Sequence, residues 1–202
     1  MIQGFTYEAE SGWLEVVEIK PDITEEYFYL TLPDKSSQKN VQIFAIPVPF
    51  TKEIILTELN YDVISISAVI KKDQQTTLIY FMSTMEKKPG QRHLFSLEFN
   101  RNTKQVIPNL VPDSKCLYNR YSLSKNQATY AVQECLGPDI PSSKIINIKN
   151  KTIDKEWLDN RALNKTLQDK LLPTIETFSI ISKKNHSKFK YFTFLNYFKI
   201  LV

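Results

Sequence analysis

A hairpin pattern that recurs at intervals of about 50 residues constrains this chain more than any other feature. Each repeat has a strand rich in aromatic and β-branched residues, a polar turn and a partner strand. The strand segments are residues 26–32, 41–46, 76–83, 93–99, 121–123, 129–132 and 144–148. Neighbouring side chains in a strand face opposite sides of a sheet, as Leu94 and Phe95 should. Four-stranded β-propeller blades have this spacing, and the pattern alone leaves a β-sandwich open as the alternative.

Polar residues and a Pro-Gly pair mark the turns of the first two hairpins. The first turn is the polar stretch 34–40. The second is 86–91, where Pro89 and Gly90 interrupt the strand pattern. His93 follows this turn directly, so we expect its imidazole to be solvated.

The pattern changes at residue 156, where leucines recur at helical spacing. They lie four positions apart, at Leu163, Leu167 and Leu171. With Asp159 or Asn160 available as N-cap and Pro173 as a stop, the sequence predicts one amphipathic helix over 156–172. Residues 177–181 are predicted to form one more strand, and the pattern of 189–202 indicates no element.

Cys116 and Cys135 are the only cysteines, and a predicted hairpin with its turn at 124–127 lies between them. The midpoint of the two positions falls within this turn. Antiparallel strands joined there would place the two thiols opposite each other, within reach of a disulfide. A pair of reduced, buried cysteines is the alternative. Two cysteines with only His93 and His186 elsewhere lack the spacing of a metal site, so we predict no metal.

A disulfide implies an oxidising compartment, and three N-x-[ST] sequons point the same way. They place candidate N-glycosylation sites at Asn150, Asn164 and Asn185. Asn164 lies within the predicted helix, which makes it the weakest of the three.

The distribution of charge argues against nucleic acid as a partner. The formal net charge is +4, and the five lysines after Glu176 more than account for it. A nucleic-acid-binding domain would have its basic surface in the folded part. Lysines alternate with aromatic residues from Lys188 to Lys199, so contact of this tail with a membrane surface is a minor option. We expect no signal peptide and no transmembrane segment within this chain.

Two segments around the cysteines resemble the last propeller blade of the dipeptidyl peptidase IV family. Residues 116–125 open with a cysteine and a strand that ends in a Ser-Lys turn. Residues 130–141 close with Cys-x-Gly-Pro-x-x-Pro. Asp139 departs from the family's pattern, because relatives more often have a second glycine there.

Further segments extend the resemblance over residues 11–180. Residues 158–167 are similar to the Asn-x-x-Leu-x-x-x-Leu helix that precedes the family's hydrolase domain. Residues 11–15 resemble a Thr-Gly-Trp-Val strand, and residues 78–81 with 89–95 resemble the penultimate blade.

The resemblance implies a mainly β fold, with antiparallel four-stranded blades of a partial β-propeller over 1–155 and one C-terminal linking helix. Residues 156–181 would be that helix and the start of an α/β-hydrolase domain, and 182–202 a divergent basic-aromatic tail. Members of the family release Xaa-Pro or Xaa-Ala dipeptides from peptide N-termini with a Ser-Asp-His triad. They are secreted or membrane-anchored glycoproteins, typically homodimeric, whose propeller covers the active site.

The family's catalytic apparatus is missing from this sequence. A hydrolase nucleophile elbow needs Gly-x-Ser-x-Gly, and no two of the four glycines flank a serine at that spacing. Glu25-Glu26 resembles the family's clamp for the substrate amine but opens a strand, so we interpret it as a solvated strand end. We therefore predict no catalytic, substrate-binding or cofactor-binding residue, and a chain that is inactive alone.

Two hypotheses of function follow. The first is a fragment or truncated form of a dipeptidyl peptidase IV-like serine exopeptidase, whose blades gate the access of peptide substrates to the longer enzyme. The alternative is a self-standing, non-catalytic β module that acts as a binding partner or decoy.

Overall fold

The computed structural model describes residues 18–22, 24–34, 40–103, 105–110, 116–150, 152–170, 174–181 and 188–195. For 105–110, 174–181 and 188–195 it describes the backbone. The chain divides into two compact units, Met1–Leu158 and Asp159–Val202. The division lies close to the domain boundary predicted between residues 155 and 156.

Three four-stranded antiparallel sheets make up the described part of the first unit, and each has its strands in sequential order. The first blade contains β1 (Lys20–Pro21), β2 (Tyr27–Pro33), β3 (Val41–Pro47) and β4 (Ile54–Ile55). The second contains β5 (Val63–Lys71), β6 (Thr76–Met85), β7 (Lys88–Asn100) and β8 (Gln105–Leu110). The third contains β9 (Asn119–Leu123), β10 (Tyr130–Cys135), β11 (Ser142–Asn147) and β12 (Thr152–Leu158). The predicted mainly β fold of antiparallel four-stranded blades is confirmed, and the sandwich alternative is wrong.

The blades pack face to face through two apolar cores. The core between the first and second blades includes Tyr29, Ile43, Ile79, Phe81, Phe95, Leu97 and Phe99. The core between the second and third blades includes Ile70, Tyr80, Met82, Leu94, Ala131 and Ile148. Alternate side chains of β6 therefore enter different cores, and this explains why residues 78–82 form an uninterrupted apolar run.

The turn of the second hairpin lies earlier than the sequence predicts. Glu86 and Lys87 form it, because Met85 pairs with Lys88 and Lys87 has a φ of 61°. Pro89 and Gly90 are strand residues near the start of β7, a position where proline is tolerated. His93, expected to be solvated, is buried within β7 instead.

A buried ion cluster also joins the first two blades, and we call it the Arg101 cluster. The Arg101 guanidinium lies 3.4 Å from the carboxylate of Asp22 and 2.9 Å from that of Glu26. It also donates hydrogen bonds to the Thr24 hydroxyl, at 2.6 Å, and to the Gln74 carbonyl. The side chains of Arg101 and Asp22 are only 6% and 1% exposed. Glu26 is 60% exposed, so the predicted solvated strand end also takes part in an ion pair.

The second unit begins with a helix shorter than predicted. Helix α1 spans Arg161–Leu167, whereas residues 156–158, predicted as helical, belong to β12 and pair with β11. Asn160 is the N-cap residue, with a φ of 52°, and the carboxylate of Asp159 before it accepts a hydrogen bond from the Arg161 N–H at 3.0 Å. Leu171 and Pro173 lie outside the described residues.

A two-stranded antiparallel sheet follows in the second unit. Strand β13 (Thr174–Ile181) contains the predicted strand 177–181 and pairs with β14 (Lys188–Leu195). No element was predicted for the residues of β14, and 182–187 and 196–202 lie outside the described residues. Within the described part of the chain, no helix is long and apolar enough to cross a membrane.

Candidate functional site

The inner strands of the three blades enclose a groove of about 590 Å³. Strands β1, β5 and β9 are each the first strand and the edge strand of their sheet. The groove is lined by Glu18, Lys20, Ile64, Ser65, Ile66, Ser67, Met82, Arg92, Asn119, Arg120, Tyr121, Ser122, Leu123 and Leu136. It is larger than the pocket of about 100 Å³ beside the two cysteines, and sequence reasoning proposed none of its residues as a site.

Two bulges shape the floor of the groove. In β5, Val63 pairs with Ser83 and Ser65 with Met82, so Ile64 has no partner in β6. Ser67, which lies between Ile66 and Ala68, also has no partner in β6, whereas Ile66 pairs with Phe81. A bulge bends a strand and redirects its side chains, and both unpaired residues line the groove.

Two ion pairs involve charged side chains that line the groove. The Lys20 ammonium lies 2.5 Å from a Glu18 carboxylate oxygen, and the Arg120 Nε lies 2.5 Å from a Glu134 carboxylate oxygen. The hydrogen bond from Arg120 lowers the pKa of the Glu134 carboxyl and raises the pKa of Arg120. Both groups are exposed, so the pair fixes the orientation of Arg120 more than it stabilises the fold.

The Cys116–Cys135 disulfide is present, with the two Cα atoms 5.6 Å apart. The prediction that the two cysteines lie opposite each other in paired strands is only partly correct. Cys135 pairs in the sheet with Asn119, so Cys116 lies ahead of the start of β9. Cys116 comes close because the backbone N–H groups of Leu117 and Tyr118 both donate to the carbonyl of Gly137, at 3.1 and 3.3 Å.

The disulfide-bonded segment also ties the third blade to the second. The Arg92 N–H in β7 donates to the Leu117 carbonyl at 2.9 Å. The buried Asn119 amide donates to the carbonyls of Arg92 and Cys116, both at 3.0 Å. Gln133 in turn donates to the Asn119 side-chain oxygen at 2.7 Å. Arg92 is therefore held in the groove by the backbone around the disulfide.

The turn after Cys135 requires a glycine. Gly137 has a φ of 145°, a region in which residues with a side chain are strained. Its carbonyl accepts the two hydrogen bonds that position Cys116, and Leu136 beside it is 54% exposed at the groove. The Cys-x-Gly-Pro motif thus shapes one end of the groove as well as the disulfide.

The three predicted glycosylation sites have different surroundings. Asn150 is exposed in the turn between β11 and β12, and Asn164 is exposed within α1. Asn185 lies outside the described residues. Glycosylation of these sites stays a prediction.

The histidines occupy no catalytic arrangement among the described residues. The Nε2 atom of His93 lies 3.3 Å from the Gln91 side-chain oxygen, and the ring is buried in β7. His186 lies outside the described residues. The groove offers backbone edges, cations and apolar side chains, which suit binding of an extended ligand better than bond cleavage.

The sequence and the fold of this chain are both similar to those of known proteins. Residues 5–142 match the family model described as Dipeptidyl peptidase IV (DPP IV) N-terminal region. Dipeptidyl peptidase 4 of Trichophyton equinum is 28% identical over 84% of this chain and 21% of its own length. Dipeptidyl peptidase 4 of Arthroderma otae is 32% identical over 76% of this chain and 19% of its own length. The chain therefore spans about a fifth of the length of these relatives.

A venom dipeptidyl peptidase 4 of Apis mellifera is 24% identical over 91% of this chain. The crystal structure of Porphyromonas gingivalis dipeptidyl peptidase 4 has the same fold over 85% of this chain and 22% of its own, with a TM-score of 0.66 and 14% identity. The three sheets are accordingly blades of a partial propeller. The chain belongs to the dipeptidyl peptidase IV family and represents part of its N-terminal region.

Proposed function

We propose that this chain is a segment of a dipeptidyl peptidase IV-like serine exopeptidase, which releases Xaa-Pro or Xaa-Ala dipeptides from peptide N-termini. Its blades would form part of the wall along which peptide substrates reach a separate hydrolase domain. The observation that carries the proposal is the groove, because edge strands of three successive blades of this family converge on one concave surface. The membership of the family supports the same function.

The chain would contribute binding surface and no covalent chemistry. Its four glycines form no nucleophile elbow, and His93 is buried in a strand. The Cys116–Cys135 disulfide supports an extracellular or plasma-membrane location for the longer enzyme, since such bridges persist in oxidising compartments. N-glycosylation at the exposed Asn150 would fit that location.

A self-standing β module is the second candidate. It is favoured by the two apolar cores between the blades and by the disulfide, all of which lie within this chain. It would act as a binding partner or decoy, with the same groove as its binding surface.

Determining the complete transcript distinguishes the two candidates. For the exopeptidase we expect the reading frame to extend into a segment that contains Gly-x-Ser-x-Gly, followed by an Asp and a His in the order of an α/β-hydrolase. A complete mature transcript that encodes no such segment would contradict the exopeptidase and favour the module.

A further inference from the structure

We infer that the groove binds an extended peptide segment that carries an acidic side chain, and that Arg92 recognises this side chain. The inference deepens the proposed function, on which it rests for the peptide nature of the ligand. Four observations carry it: the edge strands in the lining, the balance of charge, the fixed position of Arg92 and the exposed apolar side chains of the groove.

Two edge strands, β5 and β9, contribute most of the groove lining. Four consecutive residues of β5, Ile64 to Ser67, contribute to its surface, and so do five consecutive residues of β9, Asn119 to Leu123. The pairing of β9 with β10 is regular, so successive side chains of β9 point to opposite faces and its consecutive residues share one surface only where the edge of the strand meets it. Such an edge presents backbone N–H and C=O groups that an extended peptide can pair with. The ligand class is therefore a peptide.

The charge of the lining favours an acidic ligand. Lys20, Arg92 and Arg120 are cationic, whereas Glu18 is the one carboxylate among the lining residues. Lys20 pairs with Glu18, and Arg120 pairs with Glu134, which lies just outside the groove. Within the part of the chain that the structure describes, Arg92 has no ion-pair partner. A carboxylate of the ligand would supply that partner.

Arg92 is held in place before any ligand arrives. Its N–H donates to Leu117 and its carbonyl accepts from Asn119, so both of its backbone polar groups are bound to the third blade. Its side chain is exposed at the groove. A guanidinium on a fixed backbone loses less freedom on binding, and it can bind a carboxylate with two parallel hydrogen bonds.

Exposed apolar side chains share the groove surface with this cation. Leu136 and Ile64 are both exposed at the groove surface, at 54% and 37%. They would contact apolar side chains of the same peptide. The preferred ligand is therefore an extended peptide in which a glutamate or aspartate lies between apolar residues.

Fluorescence anisotropy with two labelled peptides tests the inference on the full chain. One short peptide has a single glutamate between valines, and the other has glutamine in its place. We expect the wild-type chain to bind the glutamate peptide about fivefold more tightly, as for a partly exposed ion pair. Arg92→Gln should abolish this preference. Lys125→Gln, which removes an exposed cation in the β9–β10 turn outside the groove, should retain it.

The salt dependence of the wild-type chain provides a second measurement that needs no variant. Raising the ionic strength should weaken binding of the glutamate peptide toward that of the glutamine peptide, because exposed ion pairs are screened. Equal affinity of folded wild-type chain for both peptides, absence of binding, or a preference that survives in Arg92→Gln would each overturn the inference. Since the assay measures binding and not turnover, its failure would leave the proposed function to be decided by the transcript.

Discussion

Replacing both Cys116 and Cys135 with alanine is expected to lower the free energy of unfolding by about 3 kcal/mol. The bridge joins positions 19 residues apart, and cross-linking restricts the unfolded chain. It also holds the segment through which Leu117 and Asn119 bind the backbone of Arg92 in the second blade. Urea unfolding of the oxidised wild type and the double variant, followed by circular dichroism, measures the difference.

Reduction of the wild type is the matched control for this prediction. A thiol reductant should destabilise the wild-type chain by a similar amount and leave the double variant unchanged. If the variant unfolds at the same urea concentration as the oxidised wild type, the disulfide has no role in holding the third blade.

Arg101→Met is expected to lower the free energy of unfolding by about 3–5 kcal/mol, as when one partner of a buried ion pair is removed. The carboxylate of Asp22, which is 1% exposed, would lose its cationic partner while remaining buried. Hydrogen bonds to Thr24 and Gln74 would be lost with it. Because the contacts with Asp22 and Thr24 join the first two blades, the same urea titration reports the loss.

Lys72→Met is the matched control for Arg101→Met. Lys72 pairs with Glu98 at 2.6 Å, but the two side chains are 48% and 35% exposed. Loss of such a pair should cost less than about 1 kcal/mol. Adding Asp22→Asn to Arg101→Met should recover part of the lost stability, since the uncompensated charge is then removed. Equal effects of Arg101→Met and Lys72→Met would contradict a structural role for the buried cluster.

Most of the fold could be predicted because the blades follow local rules. Aromatic and β-branched residues between polar turns identify strands such as β6 and β10, and the repeat spacing identifies the four-stranded sheets. The turn at Pro89 and Gly90 was predicted wrongly because proline and glycine are also tolerated near the start of a strand. The helix was predicted too long because residues 156–158 pair with β11, and this contact is not visible in leucine spacing.

The groove could not be predicted, because it depends on distant parts of the chain. Its lining comes from strands of three blades, and two bulges in β5 help decide which side chains face it. No spacing in the sequence indicates where a bulge falls. Arg92 also lies in an ordinary strand pattern, and only its contacts with Leu117 and Asn119 reveal that it is fixed at the groove.

The central claim is that the chain supplies propeller blades of a dipeptidyl peptidase IV-like enzyme without its chemistry. Release of chromophore from a Gly-Pro-linked substrate tests it most directly, with the purified chain and the longest product of its gene assayed side by side. We predict no turnover by the purified chain and turnover by the longer product. Clear turnover by the purified chain, abolished by a serine-directed inhibitor, would contradict the account.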